Sequence, residues 1–258
     1  MSAVQHSTTT VRLAGVTYPR RAARPDLLTR IAAVRDVSAT MRQIDLIGPD
    51  VPRLRCRPGA HVVVRVPAGN GEARRVYSIW RHDPASSALS LRLALHDAGG
   101  PGCDWARTAA PDDRVTLEPP RSKITLDDSA AYHLFIGDET AAVPLLAMRA
   151  ALPRTTATAI GVFEAPGPAD EMPGPDGVPP LPWVHRGRAS AVASPVLLQA
   201  VRELALPAGA GAAYVAGESD TCRLVQRLLI EQRGFARKAV RVQPHWAPGR
   251  PGFGAGGD

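Results

Sequence analysis

Four short segments of this chain carry residue types whose spacing suits chemistry. The first is Arg75-Val76-Tyr77-Ser78, inside a run that alternates apolar and polar residues. Side chains alternate along a strand, so the spacing sets an arginine, an aromatic ring and a hydroxyl on or near one face. The guanidinium is a planar, permanently charged donor suited to a pyrophosphate. The Tyr77 ring can pack on the ribityl chain or ring of a flavin, and the Ser78 hydroxyl can bond its N5 edge. The same quartet also occurs on ordinary half-exposed strands, so it needs a structural context.

The second segment is His96-Asp97-Ala98-Gly99-Gly100-Pro101-Gly102-Cys103-Asp104-Trp105-Ala106, a glycine-rich turn running into a short helix. Backbone N–H groups at a helix start, approached closely where glycine has no side chain, form an anion site. A plain turn over a buried Trp105 is the competing reading. In the third segment, Gly137-Asp138-Glu139-Thr140-Ala141 follows an apolar run, at the place where nucleotides bind in open parallel sheets. This segment is no Gly-x-Gly-x-x-Gly, and Asp138 and Glu139 oppose a phosphate while favouring an ordinary helix start. The fourth segment, Ala216-Gly217-Glu218-Ser219, repeats that layout.

These segments need elements to hold them. Between Leu28 and Leu126 the runs Ile31–Val37, Met41–Leu46, His61–Val66, Val76–Trp80, Leu89–Leu95 and Arg114–Glu118 alternate with the period of antiparallel strands. Turns rich in Pro, Gly and Asp separate them, which predicts a small barrel or sandwich. From Tyr132 onward, strand-like runs at Tyr132–Ile136, Thr156–Phe163 and Ala212–Ala216 alternate with helical patterns at Thr140–Leu152, Pro195–Leu206 and Ser219–Arg233. That order predicts a parallel sheet covered by helices. Glu164–Pro182, crowded with proline and glycine, reads as a surface loop. The expected organisation is a flexible N-terminus over 1–15, an antiparallel β-barrel over 16–128, an α/β domain over 129–249 and a flexible Gly-rich tail over 250–258.

The chain has 258 residues, 45% apolar and 21% charged, a size that suits two domains and a composition that excludes a disordered or collagen-like polymer. Its longest charge-free stretch, Leu204–Gly217, is too short and too rich in Gly, Ala and Pro to span a bilayer. The opening MSAVQHSTTT has no basic region followed by an apolar run, so a cytoplasmic location is expected. Cys56, Cys103 and Cys222 are odd in number and far apart, which argues against a disulfide framework and against a metal site. Residues 1–128 hold 19 Lys and Arg against 13 Asp and Glu, while the rest are nearly balanced. The basic excess therefore belongs to the first half and attracts anions such as phosphate-bearing cofactors or anionic metal chelates. Its basic residues are scattered and aromatics make up only 5%, so no nucleic-acid partner is expected.

Taken in order, the four segments and the late Trp246 resemble the siderophore-interacting protein family, a branch of the ferredoxin reductase superfamily, from about Val16 to Gly249. The resemblance implies a flavin-binding barrel, a nicotinamide-binding α/β domain, FAD, and reduction of a ferric siderophore with electrons from NAD(P)H or a ferredoxin-like protein. It assigns Arg75, Val76, Tyr77 and Ser78 to the flavin, with serine where threonine is commoner. His96, Gly99, Gly100, Pro101, Gly102 and Cys103 line the FAD phosphates, and Asp138, Thr140 and Trp246 complete the cofactor site. His96 either shuttles a proton to reduced flavin or orients FAD; Ser78 is the second catalytic candidate. Arg81, Arg121 and Lys123 are the candidates for drawing in an anionic chelate, against a reading as a solvated basic face.

The chain departs from the family pattern at Trp80, where arginine usually stands, at Cys103 and Asp104, and at His245 and Ala247 around Trp246. Three of these changes remove positive charge. They keep two further readings open: a flavoenzyme acting on a small organic substrate in a biosynthetic pathway, and a non-catalytic ferric-chelate binder.

Overall fold

The computed structural model describes residues 10–13, 16–19, 25–96, 99–153 and 157–250. The expectations for residues 1–9 and 251–258, and the positions Asp97, Ala98 and Thr156, lie outside them. Strands β1 (Thr10–Leu13) and β2 (Val16–Pro19) pair antiparallel across the expected boundary at residue 15.

Six strands close a barrel: β3 (Leu27–Ser38), β4 (Met41–Ile47), β5 (His61–Ala68), β6 (Gly71–Asp83), β7 (Ala88–Ala94) and β8 (Arg114–Arg121). The order around it is β3-β4-β7-β6-β5-β8, antiparallel throughout. Alternation sets the register. On β5, Val62, Val64 and Val66 join Ile31, Ile44, Leu46, Leu89, Leu91 and Leu117 in one core, while Arg65 stays partly exposed. A fully buried aliphatic side chain contributes roughly 1.5–3 kcal/mol, and a one-residue slip would turn all three valines outward. Helix α1 (Pro101–Thr108), between β7 and β8, adds Trp105 and Ala106 to that core.

The second unit runs β9 (Tyr132–Asp138), α2 (Glu139–Ala150), β10 (Thr158–Ala165), β11 (Trp183–His185), α3 (Pro195–Glu203), β12 (Gly211–Glu218), α4 (Ser219–Glu231) and β13 (Val240–Trp246). Its strands form a parallel sheet in the order β11-β10-β9-β12-β13. Every residue of β9 is buried, because helices cover both faces. Phe135 packs with α2, and Leu134 and Ile136 pack with α3 and α4. From the central β9 the chain goes first to β10 and β11 on one side, then to β12 and β13 on the other. The crevice between the carboxyl ends of β9 and β12 is thus the topological switch point.

Most of Glu164–Pro182 is exposed or half-buried, as a surface loop should be, but Glu164 and Ala165 end β10 and the segment is anchored inward. Met172 and Leu181 are buried beside α2, and the segment bonds back to the barrel. Ala39 donates its amide to the Ala169 carbonyl at 3.0 Å, Thr40 Oγ1 donates to Asp170 at 3.0 Å, and Arg92 donates to the Pro173 carbonyl at 2.9 Å. Proline and glycine remove regular structure but do not prevent burial where side chains supply the hydrogen bonds. Met41 and Ile124, buried in the α2 cluster, continue the same interface.

Candidate functional site

The four segments divide between the barrel and the carboxyl edge of the parallel sheet. On β6, Arg75 and Tyr77 share a face and lean on the start of α1. A Cβ added at Gly102 would meet Tyr77 Oη at 2.4 Å and Arg75 Cγ at 3.3 Å, so only glycine allows this approach. Tyr77 stacks obliquely on Trp105, with ring centroids 5.9 Å apart, and burial raises its phenol pKa above the ordinary value. Strand alternation turns Val76 and Ser78 to the opposite face, so the expected trio on one face is split by the pleat. Ser78 lies directly across from His61 of β5.

The start of α1 differs from the other helix starts. Asp138 caps α2, Ser194 caps α3 and Glu218 caps α4, each accepting backbone amides through its side chain. At α1 the cap is Gly100 at φ +105°, followed by Pro101, and no side chain accepts a bond there. Gly99, also at positive φ, completes the turn. Beside it Arg75 forms no ion pair among the described residues and donates only to the Arg74 carbonyl, at 2.9 Å. Arg74, by contrast, is held by Glu118 through two bonds of 2.7 and 2.9 Å. An uncapped helix start with an uncommitted guanidinium over it fits a pyrophosphate. This is the test that FAD passes.

The remaining barrel candidates occupy varied surroundings. His96 is exposed, and its carbonyl accepts from Arg107 at 3.0 Å and from the Gly99 amide at 3.2 Å. Cys103 is buried. Arg121 pairs with Glu118 at 3.3 Å and Arg81 with Asp83 at 3.6 Å. Lys123 is exposed and unpaired among the described residues. Trp80, at the position of a missing arginine, packs toward α2 and carries the Arg92 guanidinium 3.6 Å above its ring. That charge is buried, so it does not restore the lost one at the rim.

At the sheet edge the acids serve the fold. Asp138 Oδ1 accepts from the Thr140 amide (2.9 Å), Thr140 Oγ1 (2.6 Å) and the Ala141 amide (3.2 Å). Its Oδ2 accepts from the Glu218 amide (2.9 Å) and Trp246 Nε1 (3.0 Å). One carboxylate thereby joins β9, α2, β12 and β13 across the switch point. Gly217, at φ +119°, would bring a Cβ within 2.7 Å of that carboxylate, so the close approach again needs glycine. Asp138, Thr140 and Trp246 do come together, but around each other.

Several residues here carry no sequence signal. Arg186 grips Glu139 through two bonds of 2.7 and 2.8 Å and lies 3.5 Å from Glu164, to which Ser194 Oγ also donates. Burial raises the pKa of both glutamates, opposed by Arg186 at Glu139 and by Ser194 and Arg186 at Glu164. Pro144, inside α2, has no N–H to offer the Thr140 carbonyl; His245 Nδ1 donates to it instead, at 3.2 Å. His245 and His61 both feel the charge of Lys123. Burial lowers both imidazoles to about 4, with Lys123, His245 and Arg121 pushing His61 the same way and the Thr140 carbonyl opposing the shift at His245.

A pH dependence follows. The unfolded chain binds a proton at each imidazole near pH 6.5, while the folded chain resists it down to about 4. Stability is therefore full above pH 6.5 and falls as the pH drops toward 4. Between pH 8 and pH 5, His61 alone should cost the FAD-free protein about 2 kcal/mol. Urea unfolding at the two pH values should show a larger loss in the wild type, to which His245 also contributes, and a loss smaller by about 2 kcal/mol in His61→Leu; equal losses would contradict it.

Among the described residues, no three His, Cys, Asp or Glu side chains gather as a metal site, and no helix is long and apolar enough to cross a membrane. Comparison with known proteins matches residues 56–124 to the siderophore-interacting FAD-binding domain and residues 130–249 to the siderophore-interacting protein model. Ferric vibriobactin reductase ViuB of Vibrio cholerae is 26% identical over 180 residues, covering 68% of this chain and 65% of the relative. The aligned part is thus just under two thirds of that protein's length. A siderophore utilization protein from T. fusca superposes with a TM-score of 0.77 at 27% identity, covering 89% of this chain and 95% of the other. The siderophore-interacting protein SipS of Aeromonas hydrophila shares the fold, with a TM-score of 0.74 at 22% identity, covering 87% and 92%.

Proposed function

The chain belongs to the siderophore-interacting protein family, and from that premise we propose that it is an FAD-dependent reductase passing electrons from NAD(P)H to the Fe(III) of a ferric siderophore. The observation that carries this reading is the uncapped start of α1 beneath Arg75 and Tyr77. Arg75 and the Gly99–Gly102 turn would hold the pyrophosphate, Tyr77 would pack along the flavin, and Ser78 would face its ring edge. Bound FAD supplies the conversion of a two-electron donor into single electrons, so that one NAD(P)H and two Fe(III) give NAD(P)+, H+ and two Fe(II). The chain's own part is to position the reactants and set the local charge. Lys123, with no ion pair among the described residues, and Arg121 at the barrel edge would draw in an anionic chelate. Fe(II), held less firmly than Fe(III) by hard oxygen ligands, would then leave.

The α/β unit holds its helix starts shut with Asp138, Ser194 and Glu218. A nicotinamide nucleotide would therefore be bound through other groups than a helix N-terminus, and a ferredoxin-like protein is the alternative donor. The reading places the enzyme in the cytoplasm, where reduced nicotinamides are made.

The test is an anaerobic absorption spectrum of the FAD-loaded protein, titrated with NADH, then NADPH, then ferric complexes of different charge. Bleaching by a nicotinamide and reoxidation by the ferric complex are expected, with anionic complexes reacting faster at low than at high salt. Reoxidation without any dependence on charge or salt would reject electrostatic capture at Lys123 and Arg121. Failure of every ferric complex to reoxidise the flavin would favour the flavoenzyme with an organic substrate, and failure to take up FAD would favour the chelate binder.

A further inference from the structure

The first residue of β5, His61, is only 4% exposed, and its Nδ1 is buried without a hydrogen-bond partner. Buried polar side chains are normally paired, and the other histidines enclosed in this protein obey that rule. His133 Nδ1 meets Tyr214 Oη at 3.1 Å, His82 Nε2 meets the Val51 carbonyl at 2.8 Å, and His245 Nδ1 meets the Thr140 carbonyl at 3.2 Å. Among the described histidines His61 is the exception; the other buried side-chain atoms without a partner are Ser38 Oγ, Arg65 Nε, Arg149 Nε and Glu164 Oε2.

Its place explains why. It sits opposite Ser78, whose hydroxyl also has no partner among the described residues, and opposite Arg121 on its other side, within reach of the charges of Lys123, Arg121 and His245. None of these three supplies a bond to it. Val62, the next residue, turns into the barrel core, so the strand cannot rotate to hide the ring elsewhere without breaking that core. A buried ring nitrogen left unpaired opposite an unpaired hydroxyl keeps a hydrogen-bonding capacity that the fold itself does not use.

We infer that His61 is a flavin-contacting residue, whose Nδ1 takes its hydrogen-bond partner from the polar edge of the flavin ring on the face it shares with Ser78. This rests on the FAD reading above and adds a contact that no motif in the sequence marks. The tautomer is then set by the flavin atom it meets, acceptor or donor.

Three measurements on His61→Leu, beside the wild type, test it at pH 8: urea stability of the FAD-free protein, FAD affinity by fluorescence titration, and the absorption bands of the bound flavin. Removing an unpaired nitrogen should leave the FAD-free protein as stable as the wild type or more so. FAD affinity should fall about tenfold, and the flavin bands should shift. His61→Asn, which keeps an amide near the Nδ1 position, should recover most of the affinity. A FAD-free His61→Leu protein that is less stable, with wild-type FAD affinity and wild-type bands, would show an ordinary core residue and overturn the inference alone. Absence of FAD uptake by the wild type would overturn the flavin reading and the inference with it.

Discussion

Replacing Arg75 by alanine should weaken FAD binding by about tenfold to a hundredfold while leaving the fold as stable as before. The guanidinium is a charge-assisted donor to a phosphate, and such bonds contribute about 1.5–3 kcal/mol. Among the described residues its single side-chain hydrogen bond goes to the neighbouring Arg74 carbonyl, and no carboxylate there is left unpaired when it is removed. Arg74, one residue away, is the control. Its removal strips Glu118, which is mostly buried, of two bonds and leaves it only the longer Arg121 pair, and should lower stability with little change in FAD affinity. Fluorescence titration of the FAD-free proteins and their urea midpoints distinguish the two arginines. Unchanged flavin affinity in Arg75→Ala would remove the pyrophosphate from this end of the barrel.

The second large effect is on stability. Asp138→Ala should cost about 3–5 kcal/mol, since it removes a helix cap and leaves the buried Glu218 amide and Trp246 Nε1 without their acceptor. Asp138→Asn keeps one oxygen but turns an NH2 toward other donors, so it should fall between alanine and wild type. Urea unfolding followed by tryptophan fluorescence reports both the free energy and the loosening around Trp246. A loss below about 1 kcal/mol in the alanine variant would mean that the joint between β9, β12 and β13 is held by something else.

Asp138 also shows where motif reading stops. By resemblance it belongs to the cofactor site, whereas from charge alone the acids after Gly137 suit a helix start, and the fold uses Oδ1 in that second way and Oδ2 to tie β12 and β13 to it. Two of the donors it meets lie 80 and 108 residues further along the chain. No local pattern carries such a distance.

The strands and helices were legible because each is set by local periodicity. The six barrel runs fall on β3 to β8, with Leu95 alone passing the end of its strand, and the sheet and helix runs fall on β9, β10, β12, α2, α3 and α4. The three-residue β11 is too short to show a period, and the Pro/Gly-rich segment before it hides the burial of Met172 and Leu181. The order of the motif segments was likewise enough to name a family and, through it, a flavin. What only the tertiary structure decided is which polar groups remain free. The start of α1 is open while three other helix starts are closed, Arg75 is uncommitted while Arg74 is paired, and His61 is buried without a partner beside Ser78. Periodicity is a property of neighbouring residues, but the satisfaction of a hydrogen bond depends on what the rest of the chain brings to it.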